Sequence, residues 1–251
     1  MKISDDLHPP LAAISGGLGD IGRAITQALR EAGAEVAVSD LSPDGGAGEF
    51  YAPLDVTDSA VVEAWYDAVG NAFGRTPNVI IPNAATATFK RHFEITCEEW
   101  RREIDVNLHG AYYFARIGAS RLLAADRPGR IVFIGSWAGH APHPHLPAYS
   151  VAKAGLRMVM QTLALELAPR GILVNEVAPG YVQAGLSGRV FAADPAVEAE
   201  ATRRVPVRRL ITADEVARQV VFLCSDDARH YAGTTLLQDG GLSLHQGPFT
   251  E

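Results

Sequence analysis

The chain has 251 residues, 47% hydrophobic and 20% charged, with a net charge of −7. That length suits one large α/β domain with a sizeable core, spanning 1–251, and the acidic balance without a basic stripe argues against a nucleic-acid partner. No apolar run approaches the ~18 residues of a membrane span, the segment Met1-Lys2-Ile3-Ser4-Asp5-Asp6 lacks the basic and apolar regions of a secretory signal, and Cys97 and Cys224 have no metal-ligand spacing, so a cytoplasmic protein with reduced thiols and no membrane partner is expected.

Strand-like and helix-like segments alternate along the chain. Leu11–Ser15 reads as a buried strand, followed by a helix from Ile21 to Ala32 that Gly33 ends. Glu35–Ser39 is a second strand and Phe50–Leu54 a third. The link between them, Leu41 to Glu49, is too short and too rich in glycine for a full helix, so one crossover is expected to be a loop. Asp58 can cap a helix that runs to Phe73. Asn78–Pro82 is a fourth strand and Arg130–Ile134 a fifth, with a long helix from Cys97 to Ala124 between them. Tyr149–Ala168 is a strong helix, stopped by Pro169 and Gly171. Ile172–Val177 and Thr235–Leu237 complete about seven strands. The stretch 180–210 has no strand signal; its Gly-rich start and Ala/Glu/Arg middle read as a helical lid. Strands separated by helices predict a parallel sheet covered on both faces.

The turn Ser15-Gly16-Gly17-Leu18-Gly19-Asp20-Ile21-Gly22 follows a strand and opens a helix. Glycines there let the backbone approach a pyrophosphate, and the helix N-terminus favours its charge. Asp20 is repulsive to phosphate, unless it caps the helix and faces water. Asp40 ends the second strand, where an acid can accept hydrogen bonds from an adenosine ribose; a 2′-phosphate would meet like charge there, which favours NAD over NADP. Asp55 ends the third strand on the same edge, placed to hold an adenine amino group or to cap the next turn.

Tyr149 and Lys153 stand four residues apart on one helix, one turn above each other. An ammonium beside a phenol favours the phenolate, so the pair is a candidate acid–base centre. The loop Trp137–Pro147 precedes it and must border the same site. Its three histidines, His140, His143 and His145, lack helical ligand spacing and point to polar substrate contacts rather than to a metal.

Taken together, over nearly the whole chain, these residues resemble the short-chain dehydrogenase/reductase family. Its catalytic Asn, Ser, Tyr and Lys match Asn107, Ser136, Tyr149 and Lys153 in order and spacing. Further landmarks are Asn83-Ala84-Ala85 after strand four, Asn175 with Pro179-Gly180 after strand six, and Asp239-Gly240-Gly241. The departures are Asp20 in place of a glycine of the commonest turn, Ala85 in place of the usual glycine, and Ala184 in place of a common threonine.

The resemblance implies a single Rossmann-type, doubly wound parallel sheet and hydride transfer between NAD(H) and a secondary alcohol or ketone. Cofactor contacts are expected from Ser15, Gly16, Gly19, Asp20, Ile21, Gly22, Asp40, Leu41, Asp55, Val56, Asn83, Ala84, Ala85, Tyr149, Lys153, Pro179, Gly180 and Val182. Tyr149 would exchange the alcohol proton, Lys153 would lower its pKa, Ser136 would hydrogen-bond the substrate oxygen, and Asn107 would hold a relaying water. Substrate contacts are expected from Ser136, Ala138, His140, His145 and Tyr149. The histidine-bearing loop, and a C-terminal run through His245 to Phe249 like that of the family's sugar dehydrogenases, lean toward a sugar or polyol. The alternatives are a 3-oxoacyl-type or other carbonyl reductase, and an NAD-binding regulator without catalysis. Relatives are commonly homotetramers, paired through the helices that carry Asn107 and Tyr149.

Overall fold

The computed structural model of the protein describes residues 1–45 and 48–244, the side chains of Ser187 and Arg189 excepted. Its strands are β1 (Leu11–Ser15), β2 (Glu35–Asp40), β3 (Phe50–Pro53), β4 (Val79–Pro82), β5 (Gly129–Ile134), β6 (Ile172–Pro179) and β7 (Thr235–Gln238). They form one sheet in the order β3-β2-β1-β4-β5-β6-β7, every pair parallel. The helices are α1 (Asp20–Glu31), α2 (Ser59–Phe73), α3 (Cys97–Ile104), α4 (Ala111–Ala124), α5 (Pro147–Leu167), α6 (Gly185–Ala193), α7 (Pro195–Arg204) and α8 (Ala213–Leu223). This is the Rossmann-type arrangement.

The central strands are mostly apolar because both faces of the sheet are covered. Alternation sorts the side chains. Leu11 and Ala13 of β1 pack with Trp65 of α2, Phe114 of α4 and Leu156 of α5 on one face. Ala12 and Ile14 pack with Ile25 and Leu29 of α1 and Val216 and Val220 of α8 on the other. Each such fully buried large side chain contributes about 1.5–3 kcal/mol. The strand order reverses between β1 and β4, and the crevice this leaves at their carboxyl ends is where such folds bind ligands.

Local chemistry sets the ends of the helices. Asp58 caps α2 as expected, accepting from the amides of Ala60 (2.9 Å) and Val61 (3.3 Å). Thr96 with Glu99, and Thr212 with Glu215, form reciprocal capping boxes on α3 and α8. α5 starts at Pro147, two residues before the expected start, because proline suits a first helical turn. The expected helix Cys97–Ala124 is interrupted by a π-helical turn over Asp105–Gly110, which contains Asn107. The segment expected to be a lid folds as α6 and α7. Asp194 ends the first and caps the second, accepting from the Ala196 amide at 2.9 Å. The tail from His245, whose likeness to the family's sugar dehydrogenases leaned toward a sugar or polyol, lies outside the described residues.

Candidate active site

A cleft of about 480 Å³ opens over the carboxyl ends of the central strands. All of the expected cofactor residues except Ser15 border it. Ser15 is 1% exposed, and its hydroxyl accepts from the amides of Asn83 (3.1 Å) and Ala84 (3.3 Å). Asn83 Nδ2 returns the bond to the Ser15 carbonyl at 3.1 Å and the Gly16 carbonyl at 2.8 Å. The two side chains therefore weld the tips of β1 and β4 together, and Ser15 braces the turn from behind instead of touching a ligand.

The turn itself requires its glycines. Gly16 has φ +66°, and a Cβ on it would lie 2.6 Å from Ala84 Cα. A Cβ on Gly22 would collide with the Gly16 carbonyl. The Asp40 carboxylate closes the far end, accepting from Leu18 N at 3.0 Å and Leu41 N at 2.8 Å. Each of its oxygens keeps a free lone pair for a diol. Asp55 makes a local turn, accepting from the Thr57 amide (2.9 Å) and hydroxyl (2.7 Å). Asp20 departs from its expected role. Gly19 is the N-cap of α1 and has no side-chain cap bond, while Asp20 Oδ2 accepts from the amide of Gly185, the first residue of α6, at 2.7 Å. Its charge is spent on the N-terminus of a different helix.

At the other end of the cleft, Ser136 is 7% exposed and follows directly on β5 and Gly135. Its hydroxyl accepts from Ala138 N at 3.2 Å and stands beside the Tyr149 phenol, whose ionised form it favours. Lys153 is 3% exposed. Its ammonium donates to the Ile134 carbonyl at 2.8 Å and lies 5.5 Å from the centre of the Tyr149 ring. Burial pushes the Tyr149 phenol up to about 12; the neighbouring Ser136 hydroxyl opposes this and the nearby Glu103 carboxyl adds to it. Burial likewise brings Lys153 down to about 8, against the pull of Glu176. The acidic phenol expected from the Tyr–Lys pair is thus not what the protein alone provides. Desolvation outweighs the ammonium, which points at a carbonyl. Tyr149 is a neutral phenol at pH 7, set up as a proton donor.

Asn107 is fully buried and does not border the cleft. Its Nδ2 donates to the carbonyls of Thr86 (2.8 Å) and Glu103 (2.9 Å), and its Oδ1 accepts from Thr86 N at 3.2 Å. The π turn opens the helical ladder where this side chain enters, so Asn107 ties α3 and α4 to the loop after β4.

The three histidines separate. His145 is exposed and away from the cleft. His140 Nδ1 pairs with Arg157 Nη1 at 2.6 Å, also outside it. His143, which the expected substrate contacts omitted, does border the cleft beside Trp137, with 5.5 Å between ring centres. Burial, then His145 and Arg204, lowers His143 to about 4, so it is neutral. Its Nδ1 accepts the His145 amide at 3.2 Å, which leaves Nε2–H as its donor. Sequence reading also missed Phe89, Arg102, Val106 and Tyr181, which line this end. Arg102 and Val106 share a helix face, a signal present in the sequence. Nothing in the sequence placed Phe89.

The site thus has a glycine cradle at one end and a buried serine beside a half-buried tyrosine at the other, on a sheet whose switch point joins them. That defines a dinucleotide-binding oxidoreductase fold. Residues 17–243 match the family model described as Enoyl-(Acyl carrier protein) reductase. The chain is 32% identical to 3beta-hydroxysteroid dehydrogenase 1 of Eggerthella lenta, over 97% of both chains. It is 33% identical to the 3-oxoacyl-[acyl-carrier-protein] reductase FabG of Escherichia coli, over 93% of this chain and 97% of that one. A crystal structure of a putative gluconate dehydrogenase from Agrobacterium tumefaciens superposes with a TM-score of 0.88 at 26% identity, covering 98% of this chain and 100% of the other. The chain belongs to the short-chain dehydrogenase/reductase family and is an oxidoreductase acting on CH–OH groups. Among the described residues no helix is long and apolar enough to cross a membrane.

Proposed function

We propose that the protein interconverts a secondary alcohol and a ketone with NAD(H), and that Tyr149 exchanges the proton with the substrate oxygen. The observation that carries this reading is the Tyr149–Ser136 hydroxyl pair, which borders the same cleft as the glycine cradle. The residues fit a nicotinamide dinucleotide. Gly16 and Gly22 let the turn pack against its own backbone more closely than a Cβ would allow, and both border the cleft together with Asp40, which is placed for a ribose. Among the described residues the basic side chains bordering the cleft are Arg102 and Lys153, neither of them on the β2 edge, which supports NAD over its 2′-phosphorylated form. When bound, the nicotinamide supplies or accepts hydride. In reduction, the neutral Tyr149 phenol gives its proton to the carbonyl oxygen while the Ser136 hydroxyl donates a hydrogen bond to it. Positioned acid catalysis of this kind is worth about 10²–10⁴-fold.

The wall around the reacting oxygen is mostly apolar: Phe89, Val106, Trp137, Leu146, Tyr181 and Leu186. This supports a substrate with a bulky apolar body, like the hydroxysteroid in the name of one relative. A sugar or polyol remains the second reading, favoured by His143 and Arg102 at the same wall. The residues Tyr181 to Leu186 run from that wall into α6, and we assign α6–α7 the role of a substrate lid. A homotetramer is supported by Val151, Met158 and Leu165, spaced by seven on α5 and 50%, 59% and 81% exposed; sedimentation of the purified protein checks it. Cys97 and Cys224 are both free, consistent with a cytoplasmic setting.

The deciding experiment pairs hydroxysteroids, polyols and 3-oxoacyl thioesters with both cofactors. Turnover of a hydroxysteroid or similar ring alcohol with NAD is expected, and Asp40→Ala should narrow the NAD preference. Exclusive use of the 2′-phosphorylated cofactor with thioesters would overturn the assignment.

A further inference from the structure

β6 carries an acid in a buried stretch, next to Asn175 and between Val174 and Val177. Glu176 is 1% exposed. A carboxylate at such depth is strongly disfavoured unless its partners are built in. Three features provide for it. Thr235 Oγ1 on β7 donates to Glu176 Oε2 at 2.5 Å. Gly135, between β5 and Ser136, leaves space for the other oxygen: a Cβ there would fall on Glu176 Oε1. Lys153 and Arg157, two cations one turn apart on α5, both act to keep the carboxyl ionised against burial. Like charges at that spacing repel, and an acid between them offsets the repulsion.

These features place Glu176 against Gly135, the residue that follows Ile134, whose carbonyl accepts from the Lys153 ammonium. Glu176 does not border the cleft itself. The other charged or titratable groups around Lys153 are committed elsewhere. Tyr149 faces Ser136. Arg157 is paired with His140, which burial and Arg157 keep neutral. Asp239 beyond β7 accepts from the amides of Gly241 (2.9 Å) and Ser243 (2.8 Å). Glu103 of α3 accepts from Thr88 N at 2.5 Å and acts on Tyr149. Glu176 is therefore the acid that answers Lys153.

We propose that Glu176 is a positioning residue of the proton-handling centre: its carboxylate, anchored by Thr235 in the space that Gly135 leaves, holds the buried Lys153 ammonium charged beneath Tyr149. This rests on the reading that Tyr149 and Lys153 handle the substrate proton. Without Glu176, burial would neutralise the lysine within the working pH range, and the Ile134 carbonyl would lose a charged donor.

The chain has three lysines, Lys2, Lys90 and Lys153, so side-chain 15N NMR of lysine-labelled protein, with no cofactor or substrate, can follow Lys153 alone. Lys153 should titrate near 8 in the unaltered protein. In Glu176→Gln it should titrate about one pH unit lower. Thr235→Val should move it the same way by less, and Glu176→Asp should return most of the change. The alkaline limb of kcat/KM should follow the same shifts, which a purely structural side chain would not cause. An unmoved Lys153 titration in Glu176→Gln overturns the proposal; if that variant does not fold, an unmoved titration in Thr235→Val does so. Full activity in Tyr149→Phe would instead overturn the reading of the centre, while leaving the Glu176–Lys153 coupling standing.

Discussion

Replacing Lys153 by methionine should make the protein more tolerant of neutral pH while abolishing its activity. Lys153 is 3% exposed, and its ammonium donates to the Ile134 carbonyl at 2.8 Å. Its folded value near 8 lies below the ordinary 10.5. The sign follows from proton counting. The unfolded chain binds this proton more tightly than the folded one, so burying the charge costs stability below about 8, and the cost fades as the pH rises toward 10.5. The gap corresponds to about 3 kcal/mol at pH 7. Loss of the bond to Ile134 in Lys153→Met costs about 1–2 kcal/mol in return, at every pH. The informative quantity is thus the difference between the two urea-unfolding curves measured from pH 7 to pH 10. Unaltered protein should gain about 2.5 kcal/mol on Lys153→Met over that range. Curves that stay parallel would refute the claim that the lysine is held charged at a desolvation cost.

Two further substitutions test the scaffold of the site. Gly16→Ala places a Cβ 2.6 Å from Ala84 Cα at φ +66°; strain and overpacking together should cost about 2–4 kcal/mol, with a lower midpoint in calorimetry and NAD binding weakened at least tenfold. Retention of the wild-type midpoint and affinity would remove the cradle from its assigned role. Glu215 accepts from Arg209 at 2.7 and 2.8 Å and from the Thr212 amide at 3.0 Å, and Arg209 with that cap brings its carboxyl down to about 2. Glu215→Ala should destabilise α8 by about 1–2 kcal/mol above pH 4.5, a difference that denaturant titration should see vanish as the pH falls toward about 2. A penalty independent of pH would contradict the role of the ionised carboxylate.

Much of this was legible in the sequence because it lies in local patterns. The unbroken apolar run Leu11 to Ile14 indicated a buried strand, and Asp58 announced α2 by its cap. The glycine turn, Ser136, Tyr149 and Lys153 come together because they sit at strand ends and on one helix face. What escaped depended on long-range packing. Asp20 binds Gly185, 165 residues away, and no local rule connects them. The acidity of Tyr149 was misjudged because a helical pair predicts a neighbouring charge but not the burial that outweighs it. His140 and His145 looked equivalent to His143, yet the fold turns only His143 toward the cleft. The π turn at Asn107 has a helical sequence and shows itself only in the backbone.

The proton-transfer role of the Tyr149 hydroxyl is tested most directly by Tyr149→Phe, which removes one oxygen from a ring that stays half-buried beside Trp137 and Ala138. NAD binding, followed by fluorescence or calorimetry, should stay within about threefold of the unaltered protein, while kcat for the best alcohol of the panel falls by at least about 10²-fold. A variant that binds NAD normally and turns over at an undiminished rate would contradict the assignment of Tyr149 as the group that exchanges the substrate proton.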